Sequence, residues 1–151
     1  MTAMNDLEWM SASFACERLC NAFSWHLDQR NFEALADLFT HDGVFVRNDE
    51  HLSGRAAILD AYAKRPDVTT VHFVNNFQLI ALDSLSARGT VYNMVLHSPG
   101  EPVKAVRTFD PLSAIRVVWF QDDFAMVDGS WRFAYRFAYR GAFAGGGGIL
   151  R

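Results

Sequence analysis

The segment TVHFVNNFQLIAL, residues 70–82, decides how the chain is read. Its β-branched and aromatic residues make it a long strand, most of it buried. Yet His72, Asn75 and Asn76 lie in its middle. An unpaired buried amide or imidazole costs about 1–3 kcal/mol, so these side chains need partners or a polar space. Strict alternation puts His72, Val74, Asn76, Gln78 and Ile80 on one face, polar at one end and apolar at the other, which suits a pocket wall. By default, a lone histidine here is one with satisfied hydrogen bonds at the edge of a core.

The elements around this strand set the fold class. Upstream, apolar residues recur at helical spacing from Asp6 to about Leu27, with Cys16, Leu19, Cys20, Phe23 and Leu27 on one stripe. Asn31 caps a second helix, NFEALADLF, whose buried side takes in Phe32, Leu35, Leu38 and Phe39. A short strand VFVR, a turn at NDE and a third helix in SGRAAILDAYAKR follow. Downstream all is strand: 70–82, 87–97, 113–126 and 130–140, with a long connection SPGEPVKAVRTFDP that reads either as a lid or as an ordinary mobile loop. Helices first and long strands last predict an α+β fold, a mostly antiparallel sheet with helices on one face. In WRFAYRFAYR, alternation places Trp131, Phe133, Tyr135, Phe137 and Tyr139 on one face and Arg132, Arg136 and Arg140 on the other.

Composition narrows function. With 151 residues, half of them hydrophobic, residues 1–144 read as one domain with a substantial core, and the glycine-rich 145–151 as a flexible tail. A net charge of −3 with scattered basic residues disfavours a nucleic-acid partner. Neither a signal peptide nor an 18-residue apolar run is present, so the chain reads as cytoplasmic with no membrane partner. The two cysteines, Cys16 and Cys20, sit on the apolar helix stripe and read as core. No common enzyme motif appears, and the five histidines (26, 41, 51, 72 and 97) include no helical i, i+4 pair, so neither metal nor cofactor is expected.

Asp28 is the second notable position. A carboxylate at a helix C-terminus is disfavoured by a few tenths to about 1 kcal/mol, so something other than helix stability is a reason to keep it. A solvated turn residue is the plain alternative. Asn93 and His97 share one face of the following strand, and in a hairpin they face the same space as His72.

Four blocks, WHLDQRNFEALADLFTHDGVF, GRAAILDAYA, VHFVNNF and DGSWRFAYR, resemble in order and spacing the SnoaL-like branch of the NTF2-like superfamily, across residues 7–140. The resemblance implies a cone, a curved sheet around helix one with an internal apolar pocket. In its scytalone dehydratase and dehydrochlorinase group an aspartate ending helix one and a histidine in the H-[FY] strand are catalytic, and these match Asp28 and His72. A second histidine of the dehydratase matches His97. Phe23, Trp25, Arg47, Asn76 and Tyr92 are the candidate substrate-binding residues. Leu27 and Arg47 replace the two tyrosines that hold the dehydratase's water. Phe23 and Arg47 replace the tyrosine and aspartate of ketosteroid isomerases, which disfavours steroid isomerisation. The reading is a cofactor-free lyase, dehydratase or dehydrohalogenase in type, acting on a small apolar, cyclic molecule. The alternative is a non-catalytic small-molecule-binding protein or a scaffold like the oxygenase small subunits. Either way a homodimer or other homo-oligomer is expected.

Overall fold

Asp6–Asp28 form α1 in the computed structural model, in which residues 6–99 and 115–141 are described. Cys16, Cys20, Phe23 and Leu27 are its buried stripe, with Leu19 partly buried at the margin. The helix ends in a Schellman-type turn: Arg30 takes a φ of 56°, its N–H donates to the Leu27 carbonyl at 3.2 Å, and the Asn31 N–H donates to the His26 carbonyl at 2.9 Å. A left-handed arginine costs about 1–2 kcal/mol. Its guanidinium offsets this by reaching the Arg65 and Pro66 carbonyls, each at 3.3 Å, and the Asp67 carboxylate at 3.7 Å. The end of α1, where Asp28 sits, is thereby tied to the entry of the long strand.

Asn31 caps α2 (Phe32–Ala36) by accepting from the Ala34 N–H at 3.3 Å. This helix is shorter than expected, because Phe39 opens β1 (Phe39–Arg47), with its ring packed against Phe23 and Phe133. The turn at Asn48 and Asp49, both left-handed, returns the chain into β2 (Glu50–Ser53), a strand the sequence reading missed. Then come α3 (Arg55–Ala63), β3 (Val68–Leu82), β4 (Ser86–Pro99), β5 (Ile115–Val127) and β6 (Ser130–Gly141). Apart from residues 98 and 99, which end β4, the connection read either as a lid or as an ordinary loop falls outside the described residues, as does the glycine-rich tail.

The sheet runs β2-β1-β6-β5-β4-β3, antiparallel except where β1 pairs with β6. It curves around α1 and gives the expected α+β cone. At the centre of the core, Phe23 of α1 meets the rings of Phe39, Phe45, Tyr62, Phe120 and Phe133 at centroid distances of 5.6–6.4 Å.

Bulges in β3 and β6 overturn the simple alternation. In β3 the pairing jumps from Asn75 with Tyr92 to Gln78 with Thr90, and Asn76 takes the extra position at φ 54°. Asparagine tolerates that conformation better than most residues. The inward line is therefore Thr70, His72 and Val74, then Phe77 and Leu79, while Asn76, Gln78 and Ile80 are exposed. The ring of Phe77 has room because Gly89 faces it: a Cβ there would lie 3.0 Å from the ring. In β6 the pairing jumps from Phe133 with Phe124 to Tyr135 with Asp123, leaving Ala134 unmatched. The first RFAY repeat thus buries its phenylalanine, Phe133, and the second buries its arginine, Arg136. The aromatic residues do not share one face as alternation predicts. Trp131 and Phe133 belong to the core side, and Phe137 and Tyr139 to the outer side with Trp119 and Tyr92.

Candidate functional site

Asp28, the last residue of α1, meets β3 through both carboxylate oxygens. Oδ2 accepts the His72 backbone N–H at 2.8 Å, while Oδ1 accepts the Thr70 hydroxyl at 2.8 Å and lies 2.5 Å from His72 Nδ1. The two side chains are 16% and 9% exposed, so water competes little for these contacts. An ionised carboxylate only accepts, so in the neutral imidazole the proton sits on Nδ1 and the lone pair on Nε2. The backbone and ring of His72 are gripped by the same carboxylate, so helix end and strand fix the imidazole together.

The other sequence candidates scatter. His97 is half-buried on β4, paired with Thr70 on the face that carries His72. Burial, then the charges of Arg116 and Arg65, lower its pKa from the ordinary histidine value. Phe23 is the hub of the aromatic core. Arg47 lies over the Tyr62 ring at 4.3 Å and donates to the Ala61 carbonyl at 3.5 Å. Three candidates point elsewhere. Trp25 is 63% exposed on the solvent side of α1, Tyr92 stacks on Trp119 on the outer sheet face, and Asn76 is the exposed bulge residue. Their helical or strand position is as read, but the α1 stripe runs through Phe23 and Leu27, and the Asn76 bulge and the pairing of Tyr92 with Trp119 turn the strand residues outward. Among the described residues no group of three His, Cys, Asp or Glu side chains is placed to hold a metal. No described helix is long and apolar enough to cross a membrane.

The SnoaL-like domain family matches residues 10–136. The chain belongs to that family. Solved structures with the same fold include a hexachlorocyclohexane dehydrochlorinase, LinA type 2 (TM-score 0.72, 16% identity, covering 90% of this chain and 89% of that one). A candidate scytalone dehydratase from Novosphingobium aromaticivorans aligns at TM-score 0.69 and 23% identity, over 87% and 85% of the two chains. A Mycobacterium tuberculosis protein of unknown function aligns at TM-score 0.72 and 22% identity, over 90% and 79%. Among curated proteins none matches in sequence.

The SnoaL-like cone also holds Arg136 and Asp122, polar groups that sequence reasoning did not place inside. Arg136 is fully buried, with its guanidinium carbon 3.8 Å from the Phe120 ring centre, 4.4 Å from that of Phe23 and 4.5 Å from that of Phe133. Its Nε lies 3.3 Å from Asp122 Oδ1, and Cys20 Sγ is 3.6 Å from Asp122 Oδ2. Nη1 and Nη2 are buried without a hydrogen-bond partner among the described residues. Burial pushes the Asp122 carboxyl up to about 6 against the opposing pull of Arg136. Burial, with the nearby Asp122 charge, pushes the Cys16 thiol up to about 12 and raises Cys20 as well, which makes both inert core residues. Asn93 donates to Ser24 Oγ at 2.9 Å and keeps a buried, unpartnered Oδ1. The clue to Arg136 lay in the doubled RFAY, but only the bulge at Ala134, inside the first repeat, reveals it.

Proposed function

We propose that this SnoaL-like protein is a lyase, removing a proton and a leaving group from adjacent carbons of a small, largely apolar, cyclic molecule. The observation that carries the reading is the seating of His72 Nδ1 on the Asp28 carboxylate at 2.5 Å. With Nδ1 as donor, Nε2 takes the proton from carbon. The C–H electron pair becomes the new double bond, and the leaving group, hydroxide or halide, departs with its own pair. Asp28 holds the productive tautomer and stabilises the imidazolium as it forms. The base and its orienting carboxylate come from the chain itself, so the step needs no cofactor. The fold likeness to proteins described as a dehydrochlorinase and a candidate dehydratase supports the same class.

Asn93, which pairs with Val74 on the face that carries His72, keeps a buried Oδ1 without a partner among the described residues, an interior polar point beside the pair. The test is a panel of small cyclic β-halo and β-hydroxy compounds followed by NMR. Wild-type protein is expected to release alkene and His72→Ala to lose at least about 100-fold in rate, the low end of general-base contributions. Full activity in His72→Ala, or ligand binding with no product from any member, contradicts the lyase and favours a binding protein.

A further inference from the structure

His72, Val95 and Arg116 form one row across three neighbouring strands: His72 pairs with Val95, and Val95 with Arg116. Directly paired residues project from the same face. Val95 is 7% exposed on the inner face, so Arg116 springs from the face that carries the Asp28–His72 pair. His97 stands on that face one row nearer the strand end, and the charges of Arg116 and Arg65 both act on it. Arg65 approaches from the entry to β3. Its Nη2 is 3.5 Å from the Thr70 hydroxyl, itself a donor to Asp28, and its Nη1 is buried without a partner among the described residues.

Asp28 is the carboxylate whose charge acts on Arg65, and its oxygens are already taken by Thr70 and His72. No carboxylate among the described residues forms an ion pair with Arg116. A chain of net charge −3 thus concentrates fixed positive charge beside its candidate base. Neighbouring strands lie about 4.8 Å apart, which puts the Arg116 and His72 backbones about 10 Å apart.

We infer that the substrate is a cyclic carboxylate, its anionic group held by Arg116 and Arg65 while the ring lies over His72. The inference rests on the elimination reading only for which carbon loses its proton. Arginine is suited to the task because its planar fork grips a carboxylate through two parallel hydrogen bonds. It also stabilises the negative charge that builds on a carboxylate-bearing carbon as the proton leaves.

The experiment is isothermal titration of the full chain with benzoate and cyclohexanecarboxylate, each against its methyl ester. The acids are expected to bind wild-type protein more tightly than the esters. R116Q and R65Q are each expected to weaken the acids tenfold or more, with ester affinity unchanged and R116K partly restored. Arg116 is exposed, so R116Q tests the idea even if R65Q disturbs folding. Acids that bind no better than esters, or acid affinity unchanged in R116Q, overturn it. The titration repeated in H72N separates the two readings. Acid binding with no alkene from any β-halo or β-hydroxy ring of the panel sinks the lyase alone, whereas alkene from neutral rings with no preference for acids sinks the carboxylate alone.

Discussion

Replacing Asp28 with alanine removes the acceptor of three hydrogen bonds that join α1 to β3. A hydrogen bond to a charged group contributes about 1.5–3 kcal/mol, and a buried donor left unpaired costs about 1–3 kcal/mol. The three contacts share one carboxylate and water reaches its 16%-exposed side chain, so the sum is discounted well below three independent bonds. Removing a negative charge from a helix C-terminus returns about 0.3–1 kcal/mol. The balance is a loss of about 2–4 kcal/mol. For a domain of this size 1 kcal/mol shifts Tm by about 2–4 °C, so Asp28→Ala is expected to melt about 5–15 °C below wild type. Urea denaturation gives the free energy directly, with m unchanged if only the native state is affected. A Tm within 2 °C of wild type would refute the claim that this carboxylate fastens the helix end to the strand.

The buried Asp122–Arg136 pair yields two further expectations. Arg136→Met leaves an uncompensated buried carboxylate and is expected to cost about 3–5 kcal/mol, while Asp122→Leu combined with Arg136→Met recovers most of that loss, both measured by urea denaturation. Because burial raises the Asp122 carboxyl to about 6, its contribution to stability is full below the ordinary carboxylate range and is lost as pH rises through about 6. Asp122→Asn is expected to remove that slope from the pH profile of unfolding; a profile parallel to wild type contradicts it. On the outer sheet face, Trp119 stacks between Tyr92 and Tyr139 at 6.2 and 5.0 Å, beside exposed Phe73 and Met94. Light scattering is expected to show a homo-oligomer that Trp119→Arg weakens, and a monomeric wild type contradicts the oligomer.

What the sequence reveals and what it hides divide along physical lines. The α1 stripe is legible because a 3.6-residue period repeats from Cys16 to Leu27, and no local irregularity interrupts it. The meeting of Asp28 with His72 is legible as a helix-end acid and a strand histidine in matched blocks. The faces of β3 and β6 beyond their bulges are not, because each extra residue inverts the side chains that follow it, up to the next irregularity, and leaves composition untouched. Asn76 and Arg136 are misplaced for this one reason. Asn76 turns out to serve the backbone, and Arg136, expected on one face with Arg132 and Arg140, becomes the largest fully buried side chain. Phe39 reads as helix because Leu35, Leu38 and Phe39 keep helical spacing; its ring is instead claimed by Phe23 and Phe133, contacts distant in sequence. Arg65 carries no pattern at all, since its place beside Thr70 depends on how the α3–β3 connection folds back.

The central claim is that Asp28 sets the tautomer in which His72 Nε2 is the free base. The ¹⁵N spectrum of the His72 ring at mildly alkaline pH, in wild type and Asp28→Asn, tests it without any substrate. The expected result is a protonated Nδ1 and an unprotonated Nε2 in wild type, with that preference lost in Asp28→Asn. A wild-type ring carrying its proton on Nε2 contradicts it, because His72 then has no lone pair to offer a carbon acid.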